Sequence, residues 1–100
     1  MYQIDTIRLS RHATLRCQQR GIRLRVLQAM LDHHDLDREV GGNCRVLRMS
    51  RKQARRAAAM LDPQLSAQLE RLAVVMSDSS GEIVTVLHDT GKSRRYRAAA

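Results

Sequence analysis

The chain has 100 residues, enough for a single domain (residues 1 to 100) with one hydrophobic core. Its only aromatics are Tyr2 and Tyr96, which excludes a sheet whose aromatic side chains stack bases. A formal net charge of +8, carried by arginine far more than lysine, points to a polyanionic partner, either nucleic acid or an acidic protein. An arginine-rich proteome with solvated charged faces would give the same balance, so charge alone does not choose between these readings.

Cys17 and Cys44 are the only thiols and lack the paired spacing of a zinc ribbon or a disulfide framework. They read as small buried hydrophobes in a reducing cytoplasm. The opening MYQIDTIRLSRHA has no uninterrupted apolar run, and no segment approaches the ~20 apolar residues of a membrane span. The expectation is a cytoplasmic protein with no membrane contact.

In chain order, Ser10 is a helix N-cap, Arg11 to Arg20 the helix and Gly21 its terminator. A second helix follows from about Leu24 to His33, with Val26, Leu27, Met30 and Leu31 at helical spacing. The polar segment Asp32 to Asp37 leads into a hairpin, Arg38 to Val40 and Cys44 to Met49 around Gly41-Gly42-Asn43. Ser50 then caps a basic, alanine-rich helix, Arg51 to Met60. Pro63 opens another over Gln64 to Arg71, with Leu65, Leu69 and Leu72 inward. Ala73 to Ser77 and Glu82 to His88 form a second hairpin about Asp78-Ser79-Ser80-Gly81, and a short strand through Tyr96 closes the chain. This order predicts an α+β fold: two N-terminal helices on a twisted antiparallel sheet of about four strands, with a helical insertion between the hairpins.

The first helix has an unusual charge pattern. With about 100° per residue and His12 at zero, Arg16 falls at about 40°, Leu9 at about 60°, Arg20 at about 80°, Ala13 at about 100° and Cys17 at about 140°. The cations therefore overlap the edge of the apolar stripe, whereas a merely solvated charge would sit opposite it. Arginines at such a margin need a carboxylate, a carbonyl or a phosphate. A structural ion pair and a binding site both meet that need.

Other candidates lie further along. Alternation in the last strand sends Val84, Val86 and His88 to one face and Ile83, Thr85 and Leu87 to the other, with His88 at the rim. Thr85 is either a strand former or a reactive hydroxyl. In the tail, Lys92, Arg94, Arg95, Tyr96 and Arg97 read as a phosphate-contacting group or as a solvated basic tail. Gly91-Lys92-Ser93 lacks the earlier glycine of a phosphate loop. Arg51 and Arg55 stand one turn apart, as do Lys52 and Arg56; both rows suit a nucleic-acid backbone or a solvated face. Asp32-His33-His34-Asp35 is rich in possible ligands, but adjacent histidines on a helix diverge, and a helix terminus accounts for the segment without a metal.

The pattern Ser10-Arg11-His12-Ala13, Arg16, Gln19-Arg20-Gly21-Ile22, then much later Ile83-Val84-Thr85-Val86, resembles a widespread bacterial family of small domains similar to the RelE and BrnT group. That resemblance implies helices on a twisted antiparallel sheet and a metal-independent, cofactor-free ribonuclease acting as the toxin of a toxin–antitoxin pair. RNA would be the substrate and a cognate antitoxin the protein partner. It implicates His12, Arg16, Arg20 and Thr85 as signature positions, with Arg94, Tyr96 and Arg97 similar to the basic and aromatic C-terminal groups of such sites. The helical insertion over residues 50 to 72 and Leu87, where an aromatic is common, depart from the pattern. On this expectation the ribose 2′-hydroxyl attacks its own phosphate, with His12 as base, Arg16 and Arg20 on the developing charge, and His88, or else Tyr96, as acid.

Overall fold

Local signals account for the helices of the computed structural model, which describes residues 7–88. The Ser10 hydroxyl accepts from the Ala13 amide at 3.0 Å and starts α1 (Arg11–Arg20). Gly21, at φ 66°, ends it. The Ile22 amide reaches the Cys17 carbonyl at 2.9 Å and the Gly21 amide the Gln18 carbonyl at 3.4 Å. This is a Schellman closure, in which buried Ile22 and Cys17 supply the accompanying apolar contact.

α2 (Leu24–His33) follows, buries Val26, Leu27, Ala29 and Met30, and gives way to β1 (Leu36–Gly41) and β2 (Cys44–Arg48). Ser50 caps α3 (Arg51–Leu61) by accepting from the Gln53 amide. The Asp35 carboxylate fixes that serine, accepting from its amide at 2.8 Å and its hydroxyl at 2.6 Å. A 3₁₀ turn (Pro63–Leu65) precedes α4 (Ser66–Arg71), which runs straight into β3 (Leu72–Ser77); β4 (Ile83–His88) follows a turn.

The fold is α+β: four helices and a four-stranded antiparallel sheet in the order β1-β2-β3-β4. No helix among the described residues is long and apolar enough to cross a membrane. The main core joins Ala13, Cys17, Leu27, Met30, Leu69, Leu72, Val74, Ile83 and Val86. Ala54, Ala57 and Ala58 of α3 belong to it too, so the insertion is part of the core and not an appendage. A smaller apolar cluster, Val46, Ala73 and Val75 with Val40, Cys44, Val84 and Leu87 around it, lies on the other sheet face.

Several expectations need correction. The helix expected over Gln64 to Arg71 is a 3₁₀ turn followed by a short α-helix, because Asp62 caps the turn by accepting from the Gln64 amide. Leu72, expected as an inward helical residue, begins β3 and is buried there. Cys44 is only partly buried. Strict alternation in β4 also fails: Val75 pairs with Thr85 and Met76 with Ile83, leaving Val84 as a bulge. Ile83 and Val86 therefore share the helix-side core, while Val84 and Leu87 face the other way.

Candidate functional site: a cationic cluster at one end of the sheet

α1 is tied to β4 at its start. The Ser10 amide and hydroxyl donate to the carbonyls of Ile83 and Val84, both at 2.9 Å, and the Ile83 amide donates to the Arg8 carbonyl at 2.8 Å. From this anchor α1 runs along β4, with Ala13 and Cys17 packed into the core, and ends with Arg20 beside His88. Burial lifts the Cys17 thiol above its ordinary value, so it is an inert core residue.

Three groups meet where α1 and β4 end. His88 pairs across the sheet with Leu72, the residue after Arg71. Burial, then the charges of Arg20 and Arg71, hold the His88 imidazole below its ordinary value, so the ring is neutral at neutral pH. Among the described residues its buried Nε2 has no hydrogen-bond partner, and neither has the buried Nε of Arg16, one turn before Arg20. Among the described residues, the ion pairs are Arg25 with Asp62, Arg45 with Asp37 and Asp78, and Arg51 with Glu70. None of them compensates Arg16, Arg20 or Arg71. Two guanidiniums beside a neutral imidazole and a third, Arg16, one turn back along α1, with no acid paired to them among the described residues, suit a phosphate or carboxylate ligand.

The other expected site residues are placed differently. His12 is exposed in the first turn of α1. Eight residues at about 1.5 Å separate it from Arg20 by ~12 Å along the axis. His12 therefore lies about two turns of α1 away from the end where Arg20 meets His88. The lowered value favours the unprotonated His88 ring, the form that can accept a proton. Thr85 shares the face of Val75, across the sheet from the main core, and does not join the α1 row.

Arg55 is exposed on α3, and Arg51 Nε lies 3.2 Å from Glu70 Oε2. Lys92, Arg94, Arg95, Tyr96 and Arg97 lie outside the described residues. Among the described residues no cluster of three or more His, Cys, Asp or Glu side chains is placed to hold a metal. His34, from the ligand-rich segment, caps α2 instead, with Nδ1 3.0 Å from the Met30 carbonyl.

Arg71 is the residue that sequence reasoning missed. It is the last residue of a six-residue helix and has no basic neighbour in sequence to mark it; only the β3–β4 pairing sets it beside His88. A separate groove of about 380 Å³ between α2 and the end of α3 is walled by Ile7, Leu24, Ala29 and Leu61. Arg25, Gln28, Asp32 and His33 complete its lining, and none of Arg16, Arg20 and Arg71 lines it.

Neither the known protein families, nor the curated proteins, nor the solved structures contain a match to this chain.

Proposed function

We propose that the protein binds RNA through Arg16, Arg20 and Arg71 and cleaves it without a metal ion, with His88 as the proton acceptor. The observation that carries this reading is the partly exposed His88 ring, held below its ordinary value by burial and by the charges of Arg20 and Arg71, with no acid paired to either arginine among the described residues. A neutral imidazole accepts the proton of the ribose 2′-hydroxyl, and the oxygen so freed attacks the adjacent phosphorus. The bond from phosphorus to the 5′-oxygen breaks, and that oxygen takes a proton from water. The products are a 2′,3′-cyclic phosphate and a 5′-hydroxyl end. The guanidiniums stabilise the charge that builds on the phosphorane, having been oriented before the reaction begins. His12, further along the α1 row, contacts a neighbouring nucleotide.

The test is incubation of purified protein with RNA, free and ribosome-bound, in excess chelator. Cyclic-phosphate ends are expected, with cleavage reduced by about 10²–10⁴-fold in His88→Gln and far less in His12→Ala. Intact RNA across salt and pH, or full activity in His88→Gln, overturns the mechanism. The family resemblance adds that the enzyme is a toxin covered by an acidic or apolar antitoxin. Expression alone should therefore arrest growth, and His88→Gln should relieve the arrest.

A second reading, a basic module without catalysis, draws on the ~12 Å along α1 that leaves one imidazole in the cluster. It predicts RNA binding that weakens steeply with salt, and no product.

A further inference from the structure

The strand ends extend the cluster beyond the proposed site. β4 ends at His88, β3 begins at Leu72 and β2 ends at Arg48, all at the same end of the sheet. Just beyond β3, Arg48 Nη2 donates to the Glu70 carbonyl at 3.4 Å and Arg51 Nε meets the Glu70 carboxylate. Arg71, next to Glu70, thus stands between the α1 cluster and the start of α3.

From Arg51, Arg55 continues one turn along α3. At about 100° per residue, Arg51 and Arg55 flank the buried alanine face, whereas Lys52 and Arg56 point away from it. Glu70 is the only acid paired to this row among the described residues.

Building on the RNA-binding reading above, we infer that these groups form one continuous track for a single RNA strand, running along α1, around the sheet end past Arg71 and Glu70, and onto Arg51 and Arg55 of α3. The α1 row spans ~12 Å, two strand spacings add ~10 Å and one helical turn ~6 Å. At about 3.4 Å per nucleotide of a stacked strand, the α1 row takes about four nucleotides and the whole track about eight. The track turns a corner, because α1 runs along β4 whereas the sheet end crosses the strands. A duplex, stiff over about 150 base pairs, does not follow such a corner, but a single strand does.

The experiment measures fluorescence anisotropy of labelled 2′-O-methyl oligouridine, which cannot be cleaved, at lengths of roughly four and ten nucleotides. Native melting by circular dichroism confirms that each variant folds. The longer strand should bind more tightly with a steeper salt dependence. Arg51→Ala with Arg55→Ala should make its log–log salt slope shallower by about 1.4, two contacts at about 0.7 each, and leave the short strand unchanged. The charge-matched control, Lys52→Ala with Arg56→Ala, should change the slope by less than half as much. Glu70→Gln should tighten the longer strand several-fold and not the short one. Equal effects of the two double variants, no gain with length, or equally tight binding of a duplex overturns the track while leaving the α1 site standing. Binding of neither length overturns both.

Discussion

The salt dependence of binding to a short RNA tests the cationic cluster most directly. Arg20 and Arg71 act on His88 and Arg16 lies one turn before Arg20 on α1, and none of the three is paired to an acid among the described residues. If each neutralises one phosphate of a single strand, the logarithm of affinity falls with the logarithm of salt at a slope of about −2.1, since each contact contributes about −0.7. Raising salt from about 50 to 200 mM then weakens binding roughly 18-fold. In Arg20→Ala one contact is gone, the slope drops to about −1.4 and the loss over the same range shrinks to about sevenfold. Arg38→Ala removes an equal charge from an exposed position on β1, whose partner Val46 belongs to the opposite sheet face, and should leave the slope intact. Anisotropy titrations of a short 2′-O-methyl RNA at five or so salt concentrations give the slopes. The same slope in Arg20→Ala as in Arg38→Ala would refute the reasoning, because the charge would then act through the overall field and not through a contact.

Three further outcomes follow from the local chemistry. The His88 value is lowered on folding, so between its folded value and the ordinary 6.5 the unfolded chain binds more protons. Stability is full above that window and is lost as the pH falls through it; the melting temperature should decline from about pH 7.5 to 5, and less so in His88→Gln. Ser50→Ala removes both the α3 cap and the hydroxyl that bonds Asp35, for a cost of about 1–2 kcal/mol by urea denaturation. Burial works against the Asp35 charge, but the bonds from Ser50 outweigh it and hold that carboxyl below its ordinary value. The native chain should therefore shed stability as the pH falls from the ordinary carboxylate range through that lowered value, a dependence weakened in Ser50→Ala. In Gly21→Ala the new methyl meets nothing within 4 Å, yet φ stays at +66°, so the cost is conformational alone, about 1–2 kcal/mol; Gly21→Asn should lose less. Equal losses for Ala and Asn would mean that the left-handed closure is not what the glycine supplies.

How much was legible follows from the range of each signal. Ser10, Gly21 and Ser50 act within four residues of themselves, so the bounds of α1 and the start of α3 could be read directly from the sequence. The two hairpins were equally plain, because Gly41-Gly42-Asn43 and Asp78-Ser79-Ser80-Gly81 punctuate β-branched runs. The edge position of Arg16 and Arg20 was legible as well, since helical spacing alone fixes it.

Pairing between distant segments decided the rest. The Val84 bulge depends on how β4 meets β3, so a period of two could not reveal that Ile83 and Val86 share a face or that Thr85 turns away from α1. His12 and His88 look equivalent in sequence, but the direction of α1 along β4 leaves one exposed at the far end and the other with a buried ring nitrogen under the charges of Arg20 and Arg71. Arg71 and Glu70 acquire meaning only because β3 brings the end of α4 to the end of β4 and the start of α3. By itself the sequence determined the elements, the α+β class and the cationic helix edge, which depend on neighbours a few residues apart. The tertiary structure alone decided which cations converge and which imidazole joins them, because that convergence is made by strand register across most of the chain.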